Sequence, residues 1–521
     1  ETRPFRVECL RVPGAPSGPS RAGHALLLIN PHLALGEVFE GHLHSDQGLD
    51  VAGGAPYGRG LFPLYGHNQH LAWALTVNRP DVVDLIGFVC FPEKGELRYL
   101  WEGTWTRMQR RSVEVRVKLG DRLEARTLHF FDSPVGPLVA QRGPTHVALA
   151  VAGLDDNHFL ETHYAMARAR NLGEFQAALG LGGFLFHNVV YADDAGHIWY
   201  LYGGRIPKRR GSGPWDGVRA SDGKGPVWQG YHAIAELPQV LDPACGWLQN
   251  CNSSPLVTCD GAGLHAEDYP DYLVGPEESD SRALRSTALL SLAPRMDLGT
   301  FETLAFDPFV ESARTWIGEI VASWERTREH NPGRVDPLAE AIGELQAWDQ
   351  RASVDSVAST LFFLWFEKYM ATSQANRNAP AADRILAQVL DELELRCGTW
   401  RIPWGQINRL RRPGSLDPEA HDWPMAGGHG AAGVQATFLS HWVDPEACRR
   451  EGYRGSAYVS VVELGDPVES RSIVPYGQSR DPNSPHFEDQ APLFAKGRMK
   501  ANPFTPDAVH KAAVRSYHPG E

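Results

Sequence analysis

The sequence predicts an α+β protein. Strand-like segments run to about residue 280, helical periodicity fills 280 to about 395, and strand patterns return from Ile402. Strands followed by helices and strands again, without regular alternation, argue against a doubly wound sheet. A second observation is Leu71–Val77, where Leu71, Trp73, Leu75 and Val77 alternate with smaller residues as in a half-buried strand. Its end is forced by Asn78-Arg79-Pro80, because Pro80 has no N–H and restricts Arg79. A strand that stops at such a break leaves its last backbone N–H groups free to hold an oxyanion.

In chain order, Glu1 to Ala22 reads as irregular, punctuated by Pro13, Pro16 and Pro19. HALLLIN, from His24 to Asn30, is an apolar strand that should end in a sharp loop at Asn30-Pro31-His32. Residues 34–64 continue as strands and turns. Trp101 and Trp105 flank a Gly103 turn, a hairpin signal, and Val113–Val117 and Leu123–Phe131 extend the β pattern. Asn171 with Glu174 resembles a capping box opening a short helix to Leu179. Asn188–Leu201 reads as strand, turn at Asp193-Asp194-Ala195-Gly196, strand, with Asn188 on a strand edge. Gly246–Pro255 is a polar loop. Leu284, Ala288 and Leu292 mark one helix face, and Ser356–Ala371 is apolar nearly all round, as a buried helix must be. Ser456–Leu464 alternates again, Ser472–Pro475 follows, and Tyr476–Phe494 is a long polar loop.

Length and composition bound the function. At 521 residues the chain is long enough for roughly three domains. Hydrophobic residues are 42% and charged residues 22%, a globular balance. The net charge of −13 argues against nucleic acid as a main partner. No run of eighteen apolar residues is present, so no membrane-spanning helix is expected. The chain begins at Glu1 rather than Met and lacks a signal-peptide pattern, which suggests a processed chain or a fragment. Seven cysteines is an odd number; Cys245, Cys251 and Cys259 are close enough for one short disulfide loop but lack metal-ligand spacing. There is no phosphate loop, HExxH or Gly-x-Ser-x-Gly elbow. Asp81 and Asp84 have a spacing that could bind a hard cation or line a solvated acidic loop.

Several segments in order carry a resemblance: LLLINPH, GHNQHLAWALTV with DVVD, HNVVYADDAGHIWYLYGGRIPKR, GWLQNCNSSP, SDSRALR, WDQRASVDS and YGQSRDPNSPHFEDQAPLFAKGRMK. Together they resemble the β chain of the penicillin acylase family of N-terminal-nucleophile hydrolases, nearest the branch that cleaves acylated homoserine lactones and lipopeptides such as aculeacin. The resemblance implies a four-layer αββα sandwich. Residues 1–280 would form the first part of that core, 281–400 a helical region, and 401–521 the returning strands and C-terminal loop. It implies an amidohydrolase acting through an acyl-enzyme on an acyl-homoserine lactone, a lipopeptide or a β-lactam antibiotic. It implies a companion α chain from the same precursor and a periplasmic or secreted location.

By resemblance, His32 helps hold the nucleophile's end of the chain. Val77 supplies a backbone oxyanion donor, Asn252 the side-chain donor, and Arg282 orients Asn252. Asp81, the Val83 carbonyl and Asp84 match calcium ligands in one branch of the family, so a structural calcium is the one cofactor implied. Trp73 is placed at the substrate. The family's β chain begins with a serine about two dozen residues before the His of Asn-Pro-His; here that position falls near Cys9-Leu10, and no Ser-Asn is present. Cys9 is the nearest candidate nucleophile, since a thiolate is reactive at accessible pH. The alternatives are a homologue that has lost the nucleophile and keeps only acyl-ligand binding, and an acyltransferase using the same intermediate.

Overall fold

A computed structural model describes residues 5–11, 24–58, 60–154, 157–211, 214–274, 280–292, 296–330, 336–375, 380–444 and 446–518, with side chains outside 5–11 and 373–375. Of the stretch expected to be irregular, Phe5–Arg11 is a strand, and Pro13, Pro16 and Pro19 lie outside the described residues.

Two large sheets share one hydrophobic core. The first, ten-stranded among the described residues, contains Ala25–Ala34 with Phe5–Arg11 along one edge and Val459–Glu463 followed by Arg450–Ser456 along the other. Phe5–Arg11 joins it in turn to Trp247–Asn250. The second sheet has seven strands among the described residues, and its middle strands are Ile198–Gly204, Phe186–Asp193, Leu71–Thr76 and Tyr65–His67. Leu26–Ile29 of one sheet and Leu71–Leu75 of the other are all at most 2% exposed, which places the inter-sheet core between them. Helix Leu298–Ala305 packs on the first sheet and helix Phe159–Arg168 on the second. The class is α+β.

Several local expectations change here. Ala25–Ala34 runs straight through Asn30-Pro31-His32 instead of ending there. Pro31 sits where the strand exchanges one neighbour for another: Leu26–Ile29 face Val459–Glu463, while His32–Ala34 face Arg450–Ser456. A residue without an N–H fits that gap between ladders. Leu71–Thr76 is buried on both faces, not half-buried, because it lies inside a covered sheet. Gly246–Pro255 is not a loop throughout, since Trp247–Asn250 is a strand.

The helical pattern also takes physical form. Asn171 Oδ1 accepts from the Glu174 N–H at 2.9 Å, while the Glu174 carboxylate reaches the Arg170 N–H rather than closing a box on Asn171. Val357–Ala375 is the buried helix; Leu361 to Phe366 are each at most 4% exposed. It forms a second core with Ala313–His330 and Ala382–Cys397. Helix Leu298–Ala305, inside the same sequence window, joins the inter-sheet core instead. A third cluster lies under the hairpins around Phe88 and Tyr99. The disulfide considered within Cys245, Cys251 and Cys259 does not form; none of the three is disulfide-bonded, and among the described residues the bridge joins Cys397 to Cys448, 51 residues apart. Among the described residues no helix is long and apolar enough to cross a membrane.

Candidate active site

The break after Leu71–Thr76 leaves Val77 one residue beyond the strand, at the wall of a cavity of about 330 Å³. The wall is apolar, with Leu33, Leu61, Phe62, Leu64, Phe159 and Phe186 among its residues, and two histidines, His163 and His187, interrupt it. That volume is at the small end of ligand pockets, and an apolar wall with few polar groups is their usual character.

Asn252 reaches the same point from the other sheet. Strand Trp247–Asn250 ends, and Asn252 takes a left-handed backbone conformation with φ 68°. Asparagine tolerates that region better than most side chains, and such positions concentrate at functional sites. Its Nδ2 donates to the Val77 carbonyl at 2.7 Å. Val77 and Asn252 are 175 residues apart, so the two sheets bring together the residues proposed from sequence as oxyanion donors.

A buried network fixes both. Asn250 Oδ1 accepts from Thr76 Oγ1 at 2.5 Å, from Asn188 Nδ2 at 3.1 Å and from the Asn252 N–H at 2.9 Å. Asn188 Nδ2 also donates to Thr76 Oγ1, and the Tyr200 hydroxyl donates to Asn188 Oδ1 at 2.7 Å. Asn188, Asn250, Thr76 and Tyr200 are all 0% exposed. Asn188 therefore stands in a central strand, not on an edge, and ties the neighbours of Val77 to those of Asn252. Pattern alone cannot separate a central from an edge strand; the one signal was a carboxamide inside an otherwise β-branched and aromatic run.

Arg282 is in the first turn of helix Ser281–Ser291, where the helix dipole disfavours a cation. Asp280 offsets this twice: it caps the helix by accepting from the Arg282 N–H, and its other oxygen accepts from Nη2 at 2.8 Å. Burial is the largest influence and works against the guanidinium's charge, but the attraction of Asp280 and its hydrogen bond, together with Cys251, raise the arginine's pKa on balance. The same Nη2 donates to the Cys251 carbonyl and lies 3.4 Å from Asn252 Oδ1. Arg282 thus grips the backbone before Asn252 and the far end of its carboxamide. His32 is fully buried in Ala25–Ala34, next to the cavity residue Leu33 and with Ser456 as its cross-strand partner.

Two expected residues go elsewhere. Trp73 does not line the cavity; it is 0% exposed and donates from Nε1 to the Leu64 carbonyl at 3.1 Å, supporting the wall from behind. Cys9 is mid-strand, opposite Leu27 on one side and Leu248 on the other. The end of that strand nearest Asn30-Pro31-His32 is Phe5, opposite Pro31. Cys9 is four residues further in, about 13 Å at ~3.3 Å per residue. Counting back from His32 assumes the length of the connection between the two strands, here thirteen residues from Arg11 to Ala25, and so cannot tell a mid-strand residue from one at a strand end.

Asp81 and Asp84 have a different cation from the one expected. Arg209, whose side chain is 0% exposed, donates Nε to Asp84 Oδ2 at 2.9 Å, Nη2 to the Asp81 carbonyl at 2.8 Å, and lies 3.1 Å from Asp81 Oδ1. Trp228 Nε1 also donates to Asp84, and the rings of Tyr272 and Trp215 cover the guanidinium. Burial raises the Asp81 pKa, and Arg209 opposes that. A guanidinium held between both carboxylates does not fit a calcium ion in the same place. Among the described residues no group of three or more His, Cys, Asp or Glu is arranged to hold a metal.

The family model described as penicillin amidase matches residues 17–511. An acyl-homoserine lactone acylase, PvdQ, of Pseudomonas fluorescens (strain Pf0-1) is 25% identical, over 94% of this chain and 67% of its own. The aculeacin-A acylase of Actinoplanes utahensis is 26% identical, over 91% of this chain and 66% of its own. The thermostable penicillin G acylase from Alcaligenes faecalis shares the fold, with a TM-score of 0.66, 17% identity and 98% coverage of both chains. The homologues are acylases, that is, amide hydrolases. This chain spans about two thirds of the length of the curated relatives.

Proposed function

The chain belongs to the penicillin amidase family, and from that premise we propose that it hydrolyses the amide bond of an N-acylated substrate through an acyl-enzyme. The acyl group enters the apolar cavity, and the carbonyl oxygen comes to rest between the Val77 N–H and Asn252 Nδ2. The observation that carries the reading is the 2.7 Å contact of Asn252 Nδ2 with Val77 at the cavity wall. In turnover Nδ2 turns a hydrogen from the Val77 carbonyl to the oxyanion, while Arg282 holds Asn252 Oδ1 and keeps that rotation ordered. His32 supports the end of the strand where the nucleophile works. Two donors aimed at one developing charge supply the stabilisation that acyl transfer needs.

The nucleophile belongs at the Phe5 end of Phe5–Arg11, the end that meets His32, and not at Cys9. The two sheets with helices on their outer faces read as the αββα sandwich, and a companion α chain and a periplasmic or secreted setting go with it. Arg209 serves as an internal cation where one branch of the family uses calcium. Acyl-homoserine lactones and lipopeptides are the substrate classes suggested by the relatives' names.

The test is release of free acid from N-decanoyl-p-nitroanilide by the full-length protein, with product identified by mass spectrometry in the presence and absence of an added amine. Free acid supports hydrolysis; acyl-amine product supports transfer. Absence of both supports a second reading, an acyl-ligand binder without turnover, which the mid-strand position of Cys9 favours.

A further inference from the structure

The cavity wall holds two histidines that the hydrolytic machinery does not use. His163, on helix Phe159–Arg168, is 3% exposed. Its Nδ1 lies 2.7 Å from the Phe159 carbonyl, which has only lone pairs, so Nδ1 carries the hydrogen. In the neutral ring Nε2 is then a bare acceptor, and it is buried without a hydrogen-bond partner. Burial lowers the His163 pKa, so the neutral form is the resting one. His187 precedes Asn188, whose cross-strand partner is Thr76, so His187 stands one step further along, across from Val77. Its Nδ1 is also buried and unpartnered, and burial, with His163 nearby, lowers its pKa to about 4. Both rings touch Phe184, at 4.8 and 5.3 Å between centroids, and both line the cavity.

A plain hydrocarbon chain would leave these nitrogens unpaired against apolar surface, and unpaired buried polar groups are unfavourable. A hydroxyl matches them: its hydrogen meets His163 Nε2, and its oxygen accepts an N–H from His187. A ketone has no hydrogen for Nε2. The position across from Val77 sets the depth, near the carbonyl rather than at the tail.

We propose that this cavity selects acyl chains bearing a hydroxyl a few carbons from the carbonyl, read by His163 as acceptor and His187 as donor. The inference rests on the amide-hydrolase reading for the orientation of the chain but is tested by binding alone. Titration calorimetry on the full-length protein compares 3-hydroxydecanoic, 3-oxodecanoic and decanoic acids. The expected result is at least tenfold tighter binding of the hydroxy acid than of either other acid. His163→Phe and His187→Phe each bring the hydroxy-to-plain ratio near one, while decanoic acid binds as well as before or better. His187 is the more exposed of the two, so its variant keeps the test sound should His163→Phe fold poorly. Equal affinity for the three acids, no binding of any, or a preference that survives both substitutions would overturn the proposal. Hydrolysis of the matching p-nitroanilides is a separate readout. A hydroxy preference in binding without acid release overturns the hydrolase reading and supports the pocket, whereas acid release without any hydroxy preference overturns the pocket alone.

Discussion

Replacing Arg209 with Met tests how the acidic turn after the Val77 break is held. The side chain is wholly buried, Asp84 is 2% exposed, and three polar contacts join the guanidinium to Asp81 and Asp84. Removing one partner of a buried ion pair leaves the other charge uncompensated and typically costs about 3–5 kcal/mol. Asp81 keeps some access to water, so the loss should sit at the lower end, about 3 kcal/mol. Urea unfolding of wild type and Arg209→Met, each with calcium and with EDTA, measures it. Wild type should unfold at the same urea concentration in both conditions, because its cation is covalently attached. The variant should be markedly weaker and should recover part of its stability with calcium, since two carboxylates and nearby carbonyls then face an open space. Wild-type stability that falls in EDTA, or a variant as stable as wild type, would refute the reasoning.

Three further outcomes follow from the same geometry. Asn188→Leu should cost about 1–3 kcal/mol by removing the acceptor of the Tyr200 hydroxyl and the donor shared by Thr76 and Asn250, and should slow turnover more than it raises KM, as denaturation and steady-state kinetics would show. Stability should fall with acid between pH 6.5 and about 4: burial holds the His67 pKa down at about 4, so the unfolded chain takes up a proton across that window and the native one does not. The loss at His67, which is 2% exposed, should approach about 3 kcal/mol and should shrink in His67→Gln, as urea titrations at stepped pH would report. Cys9→Ala should leave acyl-anilide hydrolysis within about twofold of wild type, because Cys9 is held mid-strand; abolished activity would return it to the mechanism.

The sequence made some of this legible and hid the rest for identifiable reasons. Some local signals held, although Pro31 did not end its strand. Leu71–Thr76 stops ahead of Asn78-Arg79-Pro80, Asn171 capped its helix, and the apolar run around Phe362 became a buried helix. Val77, Asn252 and Arg282 were proposed from motif resemblance and meet in space, although nothing local connects residues 175 apart. Long-range partners were not legible. No local pattern ties Arg209 to the acidic turn, and only the fold sets it on Asp84, 125 residues away. Cys397 and Cys448 pair from two distant segments, whereas the nearer cysteines stay reduced. Trp73 was misplaced because alternation cannot say which face of a doubly covered strand meets a cavity. Cys9 was misplaced because the length of a connection changes which residue reaches the end of a strand.

The most direct test is the steady-state kinetics of Asn252→Ala on an N-acyl-p-nitroanilide, alongside binding of the product acid. The expected result is a fall in kcat of about 10²–10³ with acid binding little changed, as removal of one oxyanion donor produces. An unchanged kcat would mean that the carboxamide beside Val77 does not meet the reacting carbonyl, and would contradict the proposed mechanism.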